Sequence, residues 1–517
     1  MEAGIIFMPR SCEGLYLPEP KFPMMIRRAF FFLPILCLFN LSFAQIDTKI
    51  VRAELNEMKA SSGLRNGQLG FALYDVESGK LLEKERLNET MLPASTLKTV
   101  TSAAALGILG EDFKFKTKLE YDGKIEDGVL RGNIYIKGGG DPTLGSSRFK
   151  WGTDMPSILA AFVKKIKAKG IRSIEGSIIG DASIFEDALL PVTWVWSDIG
   201  NYYGAGANGL TFNENTYYIY FQPGKTAGEP AEFLRTEPAM PDIQFINEMK
   251  TGRSSSGDNG YVYGGPYTFL RFLRGTVPAG GEFSIKGSIP DPALFTAQSL
   301  QAALAADSIK VKGISTSIRK LKLEGKANKD ARTTLYTHQS PPLKDIVYWL
   351  NKKSVNLYAE HMLKMIGYVK LKDGSNSAGV RAIEAYWAGK GIDIGGMHLN
   401  DGSGLSRYNG ITPGQLAGML RVNAGEPWFE SFWNSLPIAG DLNDPGTLRR
   451  MCKGTPAAGN VRAKSGYISR VRTYAGYVNT KSGKRLSFAM MANNYTCTNA
   501  QIKKMLADLM VAMANVE

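Results

Sequence analysis

The alternation of apolar and polar positions divides the chain into two mixed helix–strand ends and a strand-rich middle. From Gly70 to Arg86, GFALYDVESGKLLEKER alternates with a period of two, turns at Ser78-Gly79 and returns, which predicts a β-hairpin. Thr99 to Leu109 is small and apolar, and Pro93 stands where a helix can begin, so a buried helix is predicted there. Strands are predicted in FKTKLEYDG, GVLRGNIYIKGGGDPTL and IRSIEGSIIGDASIFED, with a helix at Pro156–Lys169 between the last two. Trp194 to Tyr220 is aromatic and reads as strand. LTFNENTYYIY and GTVPAGGEFSIKGSIP read as strand pairs, and GRSSSGDNGYVYGG as an exposed loop. Helical character returns in PLKDIVYWLNKKSVNLYAEHMLKMIGYV and SNSAGVRAIEAYWAGKG. The end reads as strand, strand, tight turn and strand over AGNVRAKSGYISRVRTYAGYVNTKSGKRLSFAMMANN, then a helix over NAQIKKMLADLMVAMANV.

At 517 residues the chain is too long for one simple core. The pattern predicts an α/β (α+β) domain built from residues 45–115 and 335–517. Between them, 116–334 forms a β-rich insertion.

The first residues read as an export signal. MMIRRAFFFLPILCLFNLSFAQ has a basic start at Arg27 and Arg28, an apolar run from Ala29 to Phe43, and small residues at Ser42 and Ala44. Cleavage is predicted after Ala44, with residues 1–23 upstream of the signal and Met24 or Met25 as initiator. Pro34 and Asn40 interrupt the run, which is short for a membrane span. Cys12 and Cys37 fall in this part, leaving Cys452 and Cys497 as a candidate disulfide in an oxidising compartment. The net charge is +14, and the first 44 residues carry four basic and three acidic side chains, so the remainder is +13. Such a charge suits an anionic polymer. The basic residues are scattered rather than blocked and the chain is exported, so no nucleic-acid partner is expected and membrane contact is at most peripheral.

Candidate chemistry narrows by elimination. The three histidines, His338, His361 and His398, have no metal-ligand spacing, and no H-E-x-x-H or G-x-S-x-G occurs. Gly138–Gly140 lacks the lysine and hydroxyl of a phosphate loop. A serine nucleophile would therefore need lysine as its base. Ser95 and Lys98, three apart at the start of the small-residue helix, share a face. Other S-x-x-K matches, Ser147 with Lys150 and Ser317 with Lys320, lie in a loop and a charged run where a capping serine and a solvated lysine suffice. Ser354-Val355-Asn356, on a helical stretch, and Lys464-Ser465-Gly466, heading a strand of the closing β pattern, complete a set. Lys250-Thr251-Gly252 and Lys481-Ser482-Gly483 repeat the last triplet in less ordered surroundings.

Together these motifs resemble those of the serine penicillin-recognising enzymes, and most closely the class C penicillin-binding proteins, D-alanyl-D-alanine carboxypeptidases/endopeptidases. PASTLK, KKSVNLYAEHML, DGSGLSR, KSGYISRVRTYAGYV, GGGDPTL and WVWSDIGNYYGAGANGLTFNEN follow that family's pattern, as does the gap of 259 positions between Ser95 and Ser354. Val355 departs from the usual Asp, and Ser465 with Tyr467 from the usual Thr and a small residue. The resemblance implies a serine β-lactamase/transpeptidase-like domain with two inserted accessory domains, the second nested at about 222–297, and no cofactor or metal. It also implies a role for each residue. Ser95 would be the nucleophile and Lys98 its base, kept neutral by burial, the helix end and Lys464. Ser354 would relay a proton and Asn356 would bind the substrate amide. Lys464 and Ser465 would hold the terminal carboxylate, with Gly466 between them and Tyr467, and the backbone N–H groups of Ser95 and Tyr467 would form the oxyanion hole. Asp198 and Arg407 would bind a diaminopimelate-type side chain. The implied partners are peptidoglycan stem peptides and, as covalent inhibitors, β-lactams. A β-lactamase, although E-x-x-L-N is absent, and a silent wall-binding protein are the other readings.

Overall fold

The computed structural model describes residues 46–149, 152–327 and 331–517. The export signal, its cleavage point, Cys12, Cys37 and Lys150 lie outside the described residues.

Nine-residue runs that are apolar on both faces need cover on both sides, and the closing strands show this. The labelled elements are α1 (Lys49–Ala60), β1 (Gln68–Asp75), β2 (Leu81–Glu85), α2 (Leu97–Leu109), α3 (Leu343–Lys353), α4 (Asn356–Leu371), β3 (Val461–Ile468), β4 (Val471–Asn479), β5 (Arg485–Asn493) and α5 (Asn499–Ala514). The strands form one antiparallel sheet in the order β3-β4-β5-β1-β2, so the two ends of the chain meet where Gln68 pairs with Asn493 and Asp75 with Leu486. Alternate residues face opposite ways. Phe488 and Met490 join Val51, Leu55 and Leu509 in a core with α1 and α5. Ala489 and Met491 face Leu97, Val100 and Ala104 of α2, backed by α3 and α4. The small residues of α2 let it lie in the middle of this second layer, where residues 97–106 are all buried.

The middle segment leaves and rejoins this domain through paired strands, Lys116–Tyr121 beside Thr333–Gln339. They belong to a five-stranded mixed sheet with Ile134–Lys137, Ile178–Asp181 and Thr316–Ser317. Two three-stranded sheets fill residues 216–288, one of them placing Thr216–Gln222 between Glu232–Glu237 and Phe283–Ser288. Helices Met155–Ala168 and Pro292–Ala306 cover this region's own core, which is separate from the two around the main sheet.

Three expectations need correction. Trp194–Tyr220 is strand only from Thr216; before that come a four-residue helix, Trp196–Ile199, and 3-10 turns. Aromatic content predicted strand, but Gly200, Gly204, Gly206 and Gly209 each press against other backbone or side chains, and the chain turns instead. The loop predicted in GRSSSGDNGYVYGG is confined to its centre, since Gln244–Gly252 and Asn259–Tyr263 are strands. Cys452 and Cys497 are free, half-buried thiols. Cys452 Sγ lies 3.7 Å from the Ala507 carbonyl, midway along α5, whereas Cys497 sits before that helix begins and packs on Gly63. Eight helical residues separate Asn499 from Ala507, about 12 Å at 1.5 Å per residue, more than a disulfide spans.

Lys352, near the end of α3, forms an ion pair with Asp444 in which both side chains are almost wholly buried, and it donates to the Leu436 carbonyl at 2.6 Å. Asp444 also accepts from the Gly446 N–H at 2.7 Å, so the pair fixes residues 436–447 against α3. Removing one partner of a buried pair strands the other charge, at a cost of about 3–5 kcal/mol. Lys352→Met is expected to lower stability by that amount in urea unfolding, and the double variant K352M/D444N to recover part of it. Equal stability of Lys352→Met and the unaltered chain would show that the pair does not hold this loop.

Candidate active site

Ser95 sits in a single 3-10 turn, Ala94–Thr96, that runs directly into α2. Ala94 has φ +45°, in the left-handed region where a non-glycine residue is strained, as often occurs where a turn is built to present a side chain. Two glycines make room for the turn. A Cβ on Gly404, itself at φ +80°, would meet the Ala94 carbonyl at 1.9 Å. A Cβ on Gly466 would lie 2.1 Å from Thr473 Oγ1 and 3.0 Å from Ser95 N. Thr473 Oγ1 donates to the Pro93 carbonyl at 2.6 Å, which ties β4 to the same turn.

One turn after Ser95, at the start of α2, Lys98 is completely buried. Its Nζ lies 2.6 Å from Asn356 Oδ1, 2.6 Å from the Ser403 carbonyl and 3.0 Å from Ser95 Oγ. The first two partners can only accept. A neutral amine has two hydrogens for them and one lone pair left, which faces the Ser95 hydroxyl. Burial pulls the Lys98 pKa down to about 7, against the opposing pull of the Asp401 and Glu360 carboxylates. The expected help from Lys464 runs the other way: burial, and then the Lys98 charge, hold Lys464 well below its ordinary value.

Ser354 and Asn356 do not lie on one continuous helix, as the sequence pattern predicted. Ser354 ends α3 in a left-handed conformation, φ +58°, and α4 starts at Asn356. The break aims both side chains into one cleft. Lys464 Nζ is 2.9 Å from Ser354 Oγ and 2.7 Å from the Ser465 carbonyl. Ser465 Oγ is 2.8 Å from Thr447 Oγ1 on the loop that the Lys352–Asp444 pair anchors. Ser95, Ser354, Thr447, Ser465 and Tyr467 line a cleft of about 610 Å³.

The wider support was not assigned from the sequence. Asn356 Nδ2 donates to the Tyr203 carbonyl at 2.7 Å, which fixes the amide with its oxygen toward Lys98. Glu360, one turn along α4 on the same face, accepts from Gly402 N–H at 3.1 Å; burial and Asp401 raise its pKa. Asp401 accepts from Gly404 N–H, Ser406 N–H and Trp194 Nε1 at 2.7, 2.6 and 2.8 Å, so it shapes the loop whose Ser403 carbonyl receives Lys98. The stretches DGSGLSR, KKSVNLYAEHML and WVWSDIGNYYGAG contain all of these residues, whereas the sequence pattern points only to Asp198 and Arg407 among their supporting side chains.

Asp198, half-buried, receives the Tyr203 hydroxyl at 3.4 Å, so the residue whose carbonyl holds Asn356 also touches this carboxylate. Burial raises the Asp198 pKa, and the charge of exposed Arg407 opposes the rise. The competing matches are placed elsewhere. Ser317 caps a short helix by accepting from Lys320 N–H, Lys250 lies in the strand Gln244–Gly252, and Lys481 is in the β4–β5 turn. Among the described residues, no group of His, Cys, Asp and Glu side chains could hold a metal ion, and no helix is long and apolar enough to cross a membrane.

The family described as D-Ala-D-Ala carboxypeptidase 3 (S13) matches residues 51–516. The D-alanyl-D-alanine carboxypeptidase of Actinomadura sp. (strain R39) is 29% identical over 464 residues, covering 86% of this chain and 81% of that protein. D-alanyl-D-alanine carboxypeptidase DacB of Haemophilus influenzae is 26% identical over 472 residues, covering 88% and 92%. Among solved structures, penicillin binding protein 4 of H. influenzae shares the fold at a TM-score of 0.74 and 23% identity, covering 90% of this chain and 98% of that one. Its complex with a β-lactam gives a TM-score of 0.70 at 22% identity, covering 89% and 97%.

The Lys98–Ser95 geometry predicts a pH-dependent serine. Protonation of Lys98 removes the lone pair, so the rate of Ser95 acylation should fall about tenfold per pH unit below about 7 and level off above it. Intact-mass time courses with a slow acyl donor between pH 5 and 9 would check this. Lys98→Arg, which cannot deprotonate, should remove the dependence and slow acylation by about 10²-fold or more. An unchanged profile in that variant would exclude Lys98 as the base.

Proposed function

The chain belongs to the D-Ala-D-Ala carboxypeptidase 3 (S13) family, and from that membership we propose that it is a serine DD-peptidase, of the penicillin-binding protein 4 type, acting on D-alanyl-D-alanine ends and cross-links of peptidoglycan. The observation that carries this reading is the fully buried Lys98 amine turned toward Ser95 Oγ.

In the proposed reaction Ser95 Oγ attacks the carbonyl of the penultimate D-alanine while Lys98 Nζ takes the hydroxyl proton. The tetrahedral oxyanion is held by the backbone N–H groups of Ser95 and Tyr467, and each such donor is worth about 10²–10³ in rate. The close approach of Gly466 to Ser95 N supports this pairing. The amide bond then breaks, a proton passes through Ser354 to the leaving amine, and an ester remains on Ser95. The 2.9 Å contact between Lys464 and Ser354 supports that route, because a depressed lysine beside a hydroxyl can carry a proton either way. Water hydrolyses the ester with Lys98 again as base.

Lys464 and the Ser465 hydroxyl take the terminal carboxylate, whose charge would restore the proton that burial removes from Lys464. Asn356, oriented by Tyr203, bonds the substrate amide. Asp198 and Arg407 bind the amine and carboxylate of a diaminopimelate-type side chain, a reading supported by the Asp198–Tyr203–Asn356 connection. A β-lactam places its strained amide where the peptide bond would lie, and the β-lactam complex of the H. influenzae protein supports acylation by that class. An exported, periplasmic location fits the substrate and the signal-like segment ending at Ala44.

Intact-protein mass spectrometry after incubation with benzylpenicillin tests the reading. A lasting single-penicilloyl adduct is expected on the unaltered chain and none on Ser95→Ala. Rapid hydrolysis of the antibiotic without an adduct would make it a β-lactamase; neither adduct nor hydrolysis would leave a silent wall-binding protein. Asp198→Asn should raise KM for a diaminopimelate-containing peptide about tenfold, with kcat little changed, as loss of one charge-assisted hydrogen bond predicts. The same loss on a peptide lacking the side-chain amine would remove Asp198 from that role.

A further inference from the structure

The cleft continues well beyond the scissile position. From Ser95 and Ser354 it passes Thr447 and Ser465, runs beside the β3–β4 turn and ends on the first half of α5, through a total of about 610 Å³. Four cationic side chains line this far half, Arg450, Arg472, Lys503 and Lys504, and no carboxylate does. Arg472 lies with its guanidinium carbon 4.3 Å from the Tyr467 ring centroid and donates to Asn499 Oδ1 at 2.5 Å. Lys504 is paired with Asp508 at 2.7 Å. Arg450 and Lys503 are exposed and have no ion-pair partner among the described residues.

On the proposed function, on which this inference rests, the carboxylate of the departing residue lies at Lys464 and Ser465. Anything attached to that residue must then continue past Ser465, into the cationic half. A departing D-alanine is small, and its one carboxylate is already taken. It has no use for a cleft in the size range that accepts much larger ligands. Nor would it engage two further unpaired cations. A stem peptide released from a cross-link is larger and carries additional carboxylates. We propose that Arg450, Arg472 and Lys503 form a leaving-group subsite for a carboxylate-bearing peptide, which makes cross-linked stems better substrates than free D-alanyl-D-alanine ends. Arg472 and Tyr467 present a flat cation–aromatic wall, while Arg450 comes from the loop after Thr447 and Lys503 from α5. The bond broken and the ester formed are those of the proposed reaction; only the leaving amine differs.

The test compares kcat/KM for a cross-linked muropeptide dimer and for a monomeric pentapeptide, using the full chain and the variant R450Q/K503Q. Neither side chain touches the reacting atoms, so the pentapeptide rate should stay within about twofold. The dimer rate should fall about tenfold, as loss of charge-assisted contacts to a carboxylate predicts. The dimer preference of the unaltered chain should also shrink as salt rises. A control, K310Q/K322Q, removes the same net charge from exposed positions of the inserted region and should leave the ratio of the two rates unchanged. Equal losses on both probes, no loss on the dimer, or the same loss in the control would each overturn the subsite while leaving the peptidase reading standing. No turnover of either probe by the unaltered chain would overturn the peptidase reading and this one with it.

Discussion

A lysine amine without water and without a carboxylate in direct contact is the condition on which the rest of this site depends. Ordinary lysine carries its proton until well above pH 10, and lowering its pKa to about 7 costs on the order of 5 kcal/mol of stability near neutrality. The sign follows from linkage. Between about 7 and 10.5 the unfolded chain binds a proton at Lys98 that the folded chain does not, so the fold loses stability as pH drops through that window. The protein sustains this cost by surrounding Nζ with acceptors that carry no charge, Asn356 Oδ1 and the Ser403 carbonyl, while Asp401 and Glu360 are occupied with backbone N–H groups. A direct Asp–Lys98 pair would be more stable and would leave the lysine charged and useless as a base.

The inserted segment is part of that arrangement. Residues on one face of α4, three apart, hold it: Tyr358 donates to Glu214 at 2.6 Å, His361 bonds the Gly140 carbonyl and Thr211, and Lys364 donates to the Ala188 carbonyl at 2.7 Å. The adjoining face of the same helix carries Asn356 and Glu360, which serve Lys98. Burial drives the His361 pKa down to about 3, so this anchor stays neutral and does not add charge beneath the cleft. Through Trp194 on Asp401 and Tyr203 on Asn356, the segment fixes two of the groups that set the lysine's surroundings. Loosening the insertion would therefore reach the base before it reached the nucleophile.

The sequence was legible where chemistry compresses into short spacing. Ser95 with Lys98, Ser354 with Asn356 and Lys464 with Ser465 are each near neighbours in the chain, and the closing strands have an unbroken apolar pattern. Three features were not legible, each for a physical reason. The apolar rhythm of residues 343–366 runs through Ser354 without a Gly or Pro, so nothing local marks the left-handed break there, where Ser354 meets Lys464, distant in sequence. The turns of 196–215 carry aromatics that read as strand, but Gly200, Gly206 and Gly209 lie close against Val262, Leu189 and Ala182, contacts distant in sequence that no local pattern announces. Cysteine parity could count Cys452 and Cys497 but not show that they meet different parts of α5 and its approach.

The cleft that results is electrostatically asymmetric. Asp198, beside Tyr203, is a half-buried carboxylate near the charge of Arg407, and every charged side chain that lines the cleft beyond Ser465 is a cation. Between them Lys98 and Lys464 are both fully buried, and burial favours the neutral amine in each. On the proposed binding mode, a peptide with an amine on its donor side chain and carboxylates on its leaving side meets opposite charge at each end, and the reverse orientation would set its amine among the cations beyond Ser465. Fields of this kind act over about 10 Å at moderate salt, so they order the approach as well as the bound state. In the proposed reaction a neutral Lys98 leaves recognition to charges away from the centre, and the inserted segment with Asp198 and the closing helix with Lys503 carry such charges.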